Sequence, residues 1–196
     1  MQSKDNQSLV DIPKVFFSDL TGAPIKSCIS CECDLIGTNV PYLIEKALKP
    51  YNGYQSFSTV FEYAICMSCA EAMKGTISTL SMKRINQYFV ENIDFEKRRR
   101  IILESESTDY QTRLNNCMVK GLDAKEVGEL QIYAQCVGDR MVSGEFPYMV
   151  SGVALDEVVN LLSPKSIDDL DRFKNEVVEG PSEFQDLLQG GPKVFI

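Results

Sequence analysis

Two pairs of cysteines have the spacing that is typical of a metal site: Cys28 with Cys31, and Cys66 with Cys69. Two residues separate the members of each pair, which lets a tight backbone turn aim both sulfurs at one point. Two such turns supply the tetrahedral set of four thiolates that Zn²⁺ accepts in closed structural sites. The sequence therefore predicts one structural Zn²⁺ ion bound by these four residues.

Several other interpretations of the cysteines stay open at the level of sequence. Four thiolates can also hold an iron–sulfur cluster, and a Cys-x-x-Cys pair can be redox-active. The four can also be reduced core residues. Cys33 can replace Cys31 as a metal ligand, but we favour Cys33 as a neighbouring thiol that does not bind the metal. Cys117 and Cys136 have no paired spacing. We expect both to be buried as small apolar side chains rather than to act as nucleophiles or hold a second metal.

The order of elements around the two pairs resembles the treble-clef and zinc-ribbon class of zinc modules, over residues 25–75. A first cysteine turn precedes two strand-like segments, and residues 63–73 read as strand, second cysteine turn and helix. The resemblance implies a β-hairpin between the turns and one metal that joins them. The chain departs from the usual cysteine turn at Ile29 and Glu32, where that turn carries Pro and Gly.

The elements that position the cysteines follow from composition and periodicity. Segments rich in β-branched and aromatic residues predict strands at 12–17 and 57–65, and alternation predicts one at 129–137. Residues 40–48 fit a strand or a short helix, and Pro41 and Pro50 favour an extended segment there. Good helix formers predict a helix at 69–74, and Ser81 is the expected N-cap of the next one. Further helices are expected through 100–103 after a break at 94–95, at 153–162, from Ser166 to 178, and at 183–188. A last strand is expected at 193–196.

These patterns together predict an α+β fold. Its first part is a four-cysteine module of zinc knuckle, β-hairpin and helix, and further helices and a small mixed α+β part follow. We expect the zinc module and the helices after it to occupy residues 1–103. Ser, Thr, Asp and Asn accumulate at 104–116, which predicts a soft boundary there. An acidic α+β domain is then expected over residues 117–196.

The chain contains no histidine, so it lacks the commonest general base and the usual ligand of catalytic zinc. A closed four-cysteine site also has no open position for water or substrate. We therefore predict a non-catalytic protein that zinc stabilises, and that acts as an interaction or adaptor module for an unidentified protein partner. A carboxylate-based enzyme is an alternative, although acids such as Asp169 and Glu157 are expected to cap helices or face solvent.

Charge is unevenly distributed along the chain. The net charge is −8, yet residues 74–100 carry 7 basic and 3 acidic side chains. An acidic protein is repelled by phosphate backbones, so nucleic-acid binding through the basic segment 83–100 is a second hypothesis, with Tyr88 and Phe89 available for base stacking. We favour a basic helix face that pairs with the acidic half of the same chain. Without a long apolar run or a secretory signal, we expect a cytoplasmic protein that does not associate with membranes.

Overall fold

A computed structural model describes residues 8–51, 56–106 and 108–173, and these contain the mixed α and β structure expected from the sequence. Within them lie a six-stranded antiparallel sheet, six α-helices and a short 3-10 helix at Lys14–Phe16. The strands are β1 Ser8–Asp11, β2 Pro41–Pro50, β3 Phe57–Cys66, β4 Leu130–Val137, β5 Arg140–Ser143 and β6 Tyr148–Ser151. The helices are α1 Met67–Lys74, α2 Thr79–Asn92, α3 Phe95–Glu104, α4 Tyr110–Leu114, α5 Gly152–Val159 and α6 Pro164–Phe173.

The sheet is organised around the antiparallel pair of β2 and β4, in which Pro41 lies opposite Val137 and Leu48 opposite Leu130. β3 pairs with the other edge of β2 and ends at Cys66. The other edge of β4 is shared, because β5 pairs with its C-terminal end and β6 with its N-terminal half. β1 pairs with β5. Strands from both sides of the predicted boundary at 104–116 therefore lie in one sheet, and the domain limits themselves stay a prediction.

A buried polar row crosses one face of this sheet. Glu45 lies opposite Tyr63 on β3 and opposite Tyr133 on β4. Tyr133 in turn lies opposite Tyr148 on β6, with the two ring centroids 5.1 Å apart. Glu45 is only 2% exposed, and its Oε2 accepts a hydrogen bond of 2.6 Å from the Tyr63 hydroxyl. Burial raises the pKa of that hydroxyl well above its ordinary value, which keeps it a donor to the carboxylate.

Lys46 holds the N-terminal segment against the sheet. The residue is 3% exposed, and its Nζ donates to the carbonyl oxygen of Phe17 at 2.9 Å and to Asp19 Oδ1 at 2.6 Å. Glu62 Oε2 lies 3.0 Å from the same nitrogen. The Asp19 N–H also donates to Glu62. A buried ammonium is tolerated here because charged and polar acceptors surround it.

Most of the expected elements are confirmed, and three local expectations are wrong. β2, β3, β4, α1, α3 and α5 lie where strands and helices were predicted. Residues 12–17 do not form a strand, because Pro13 lacks a donor and its carbonyl instead accepts the Phe16 N–H of the 3-10 helix. Ser78, not Ser81, is the N-cap of α2. Ser166 lies inside α6, because Pro164 occupies the first position of that helix, where no N–H is needed.

The predicted end of the last helix at 178, the helix at 183–188 and the strand at 193–196 lie outside the described residues. No helix in the described part of the chain is long and apolar enough to cross a membrane.

The contacts of Lys46 give a stability prediction. We expect Lys46→Ala to lower the free energy of unfolding by about 3 kcal/mol, because the groups that contact the buried ammonium lose its positive charge. Lys165→Ala is the matched control, since the Lys165 side chain is 76% exposed and pairs with Asp169, so its loss costs less than about 0.5 kcal/mol. Urea unfolding measures both. Equal effects of the two substitutions would contradict the structural role of Lys46.

Candidate metal centre

The structure brings four thiols together: the Sγ atoms of Cys28, Cys31, Cys33 and Cys66 all lie within 4.8 Å of one another. The Sγ atoms of Cys31 and Cys66 are 3.8 Å apart. Two sulfurs on a tetrahedral Zn²⁺ with bonds of about 2.3 Å stand about 3.8 Å apart, whereas a disulfide requires about 2.05 Å. These cysteines are free thiols. Their arrangement is therefore compatible with one bound metal ion.

The first part of the cluster is a tight turn in residues 26–35. The Cys28 N–H donates to the Cys33 carbonyl at 3.0 Å, and the Glu32 N–H donates to the Cys28 carbonyl at 2.8 Å. The Leu35 N–H closes the turn by donating to the Lys26 carbonyl at 2.8 Å. Glu32 has a φ of 59°, in the left-handed region that favours Gly. The turn thus forms with a glutamate in the backbone conformation of a glycine.

The end of β3 and the start of α1 supply the second part. Cys66 is the last residue of β3 and the N-cap of α1, and Cys69 lies in the first turn of that helix. The Cys66 N–H donates to Cys28 Sγ at 3.4 Å, and the Ile29 N–H donates to the Ala64 carbonyl at 2.8 Å. The N-terminus of α1, where backbone N–H groups carry partial positive charge, therefore lies beside the sulfurs. Strand, helix and turn therefore meet where the sulfurs converge.

Cys69 was the fourth ligand predicted from the sequence, and the close set contains Cys33 in its place. The Cys69 thiol is half-buried, and burial, together with contacts to Cys66 and Cys31, raises its pKa to about 12. Five thiols thus lie side by side, and a tetrahedral ion takes four of them. The sequence predicts Cys33 as a neighbouring thiol or as a replacement for Cys31, because a spacing rule does not tell which of two adjoining thiols faces the metal.

The thiols influence one another strongly. A backbone hydrogen bond from Cys33, assisted by its thiol, lowers the pKa of Cys31 to about 6. The hydrogen bond with Cys31 raises the pKa of Cys33 to about 12. Closely packed thiols therefore do not lose their protons independently. A divalent cation favours the thiolate form of every sulfur that it contacts, so metal binding and proton release are coupled here.

The basic segment 83–100 does not present all of its charges to solvent. The Arg98 guanidinium lies 5.4 Å from the centroid of the Tyr148 ring and donates to the Glu145 carbonyl oxygen, and burial lowers its pKa. The other five basic residues are exposed: Lys83, Arg84, Lys97, Arg99 and Arg100. The Tyr88 hydroxyl donates to Glu157 Oε2 at 2.7 Å, so one of the aromatic residues considered for base stacking is already engaged.

The remaining sequence candidates lie away from the thiol cluster. Cys117 and Cys136 are 2% and 0% exposed, which confirms the expectation that they are buried. Asp169 pairs with Lys165 at 2.6 Å, and this hydrogen bond is the main cause of its lowered pKa. Hydrogen bonds from Lys120 and Tyr88 lower the pKa of Glu157 in the same way. Glu45, the buried acid of the polar row, belongs to no sequence motif that would identify it as a functional candidate.

Comparison of the chain with protein-family models, with curated proteins and with solved structures gives no match.

A pair of serine substitutions decides which thiol completes the site. We expect Cys69→Ser to weaken Zn²⁺ binding by about 100-fold or more, because one of four thiolates accounts for about 3 kcal/mol of a typical structural zinc site. Cys33→Ser should leave the affinity within a few-fold of wild type. Competition against a chromophoric chelator measures both, with Cys117→Ser as the control. Loss of affinity in Cys33→Ser alone would contradict the prediction and assign Cys33 as the ligand.

Proposed function

We propose that this chain binds one structural Zn²⁺ ion through Cys28, Cys31, Cys66 and Cys69, and serves as a rigid, non-catalytic interaction module. The observation that carries the proposal is the convergence of thiols from two distant parts of the chain within 4.8 Å. Soft thiolate ligands in a tetrahedral set select Zn²⁺ or an iron–sulfur cluster. The spacing of the cysteines favours zinc, because the known cluster motifs space their cysteines differently.

The proposed ion would have a structural task. It would join the turn at residues 26–35 to the strand–helix junction at Cys66, which the structure otherwise connects by the Ile29–Ala64 hydrogen bond and the Cys66–Cys28 contact. Zinc binding in small modules contributes about 10–16 kcal/mol at neutral pH. A whole domain is stable by only about 5–15 kcal/mol. A metal at this junction would therefore account for much of the stability of the first half of the chain.

A role without catalysis fits both the proposed ligands and the acids on the surface. A closed four-thiolate set would leave the ion no position for water or substrate. Glu157 and Asp169 have lowered pKa values because Lys120 and Lys165 donate hydrogen bonds to them. A general acid at neutral pH needs the opposite shift. These surface carboxylates therefore have the properties of ion-pair partners.

The proposal of a protein partner rests on the surface of α3. Phe95 and Leu103 on this helix are 54% and 67% exposed. Exposed large apolar side chains beside charged ones are a common composition for protein interaction surfaces. The same helix carries the exposed Lys97, Arg99 and Arg100, which suit a partner with acidic groups around an apolar contact.

Metal analysis tests the zinc part of the proposal. We expect purified protein to contain one Zn²⁺ per chain, and its removal by a chelator to lower the midpoint of thermal unfolding by at least about 10 °C, because the ion stabilises the folded state. Cys66→Ser should behave as the metal-free protein does, whereas Cys117→Ser should keep its zinc and unfold close to wild type. Protein that contains iron and sulfide, or no metal, would overturn the proposal.

Affinity capture tests the partner. Wild-type chain on a resin should retain a specific protein from a lysate of the source cells, and Phe95→Lys combined with Leu103→Lys should lose it. Lys165→Ala, on another helix, is the control and should retain the same protein. Retention that is identical for all three chains would contradict binding through α3. Retention of nucleic acid that disappears at moderate salt would instead support the basic segment as a phosphate-binding surface.

A further inference from the structure

Residues 115–124 repeat the hydrogen bonds of the cysteine turn at residues 26–35. The Cys117 N–H donates to the Leu122 carbonyl, and the Gly121 N–H donates to the Cys117 carbonyl, both at 2.8 Å. The Ala124 N–H closes this turn on the Asn115 carbonyl at 2.8 Å. Gly121 has a φ of 68° at the position that Glu32 occupies with 59° in the first turn. The second half of the chain therefore contains the same knuckle.

The junction of strand and helix is repeated as well. The Met118 N–H donates to the Met149 carbonyl at 2.8 Å, as Ile29 donates to Ala64. The Ser151 N–H donates to Cys117 Sγ at 3.3 Å, and Cys66 makes the matching bond to Cys28 at 3.4 Å. α5 begins directly after Ser151, just as α1 begins directly after Cys66. Ser151 thus stands where the first half has a metal-site cysteine.

The helices that follow meet through reciprocal serine contacts. Ser163 lies just before α6, and Ser78 lies just before α2. The number of residues from Ser151 to Ser163 is the same as the number from Cys66 to Ser78. The Ser78 N–H donates to Ser166 Oγ at 3.0 Å, and the Ser163 N–H donates to Ser81 Oγ at 2.8 Å. Each half therefore gives the other the same contact. Reciprocity of this kind is the property of two units related by a two-fold rotation.

The sheet obeys the same relation. If β2 and β4 are exchanged, the pair Ile44–Ala134 becomes the pair Ile132–Lys46, and both pairs are present in the register. The exchange also maps the pairing of Glu45 with Tyr63 onto the pairing of Tyr133 with Tyr148. The approximate axis therefore passes between β2 and β4, through the middle of the polar row.

We infer that the chain contains two copies of one structural unit, residues 26–51 with 56–92 and residues 115–173, and that the second copy is a zinc knuckle closed without a metal. Three positions that correspond to the proposed ligands of the first copy have other side chains in the second. Lys120 stands where Cys31 does, Ser151 replaces Cys66, and Ala154 replaces Cys69. Only Cys117 keeps the residue type of its counterpart.

Hydrogen bonds and an ion pair close the second knuckle. Cys117 Sγ accepts from the Lys120 N–H at 3.4 Å, and from both the N–H and the hydroxyl of Ser151 at 3.3 Å. Lys120 Nζ lies 2.6 Å from Glu157 Oε2 on α5. These contacts join the turn to the strand end and to the following helix. In the first copy, the thiols lie at the same two connections, from the turn to the strand end and from the turn to the helix.

The inference goes beyond the proposed function, because it rests on hydrogen bonds and strand register rather than on the identity of a metal. It also predicts the result of an experiment on the second knuckle, which follows only from comparing the two halves. If the backbone of the second knuckle is that of a zinc site, replacing the missing ligands should restore metal binding.

Restoring the ligands is the test. We expect Lys120→Cys/Ser151→Cys/Ala154→Cys to bind one more Zn²⁺ per chain than wild type, measured by metal analysis of protein equilibrated with zinc and desalted. A second variant with Leu122→Cys in place of Ala154→Cys covers the case in which Cys33 is the fourth ligand, since Leu122 stands where Cys33 does. Lys120→Ser/Ala154→Ser is the control and should bind no additional metal. Folded variants with the wild-type metal content would overturn the inference.

Hydrogen exchange of the wild-type protein tests the inference without these substitutions. After chelation we expect the amides of Ile29, Glu32 and Leu35 to lose protection by at least 100-fold, whereas Met118, Gly121 and Ala124 keep theirs. Equal loss at both sets of amides would contradict a second knuckle that closes without metal. Wild type that contains no zinc would overturn the proposed function alone, because the metal gained by the triple variant over wild type would still report on the second knuckle.

Discussion

The antiparallel pairing of β2 with β4 is the constraint on which the rest of the structure depends. At one end of this pair, Tyr42 lies opposite Cys66 of β3. At the other end, Leu48 lies opposite Leu130, which in turn lies opposite Ser151 of β6. Tyr42 and Leu48 point to the same face and lie about 20 Å apart along β2. Both strand–helix junctions therefore stand on one face at opposite ends of the central pair. A slip of one residue would turn one junction to the other face and separate its turn from its helix.

The two junctions solve one problem by different chemistry. Each must fix a tight turn, rich in backbone N–H groups, against the start of a helix. In the first copy thiols converge, and a zinc ion there would contribute about 10–16 kcal/mol. In the second, the sulfur of Cys117 accepts three hydrogen bonds worth about 1 kcal/mol each, and Lys120 pairs with Glu157. The second copy tolerates the smaller contribution because Cys117 and Ser151 are fully buried, so water does not compete for their contacts.

Sequence reasoning succeeded where side-chain type determines structure, and failed where the backbone does. The spacing of the cysteines and the β-branched segments before Cys66 predict β3, α1 and the convergence of Cys28, Cys31 and Cys66, because ligands and strands require particular residues. The repeat leaves no signature in the sequence, because its hydrogen bonds are made by N–H and carbonyl groups that almost any residue supplies. Glu32 illustrates this, since it adopts the conformation that Gly121 has in the second turn. Ser78 caps α2 by accepting the Ser81 N–H, and Ser81 instead accepts from the Ser163 N–H, a contact with a distant segment that the sequence does not reveal.

Approximate two-fold symmetry also indicates where the chain differs most from a repeated frame. Among the described residues, the units account for the sheet centre, both knuckles and the serine contact, and α3 and α4 lie between the units. This helix carries exposed Phe95 and Leu103, while its Arg98 is turned inward onto Tyr148. The proposed partner contact therefore lies on a helix between the two units, and the proposed metal would act on it indirectly by keeping the first unit folded.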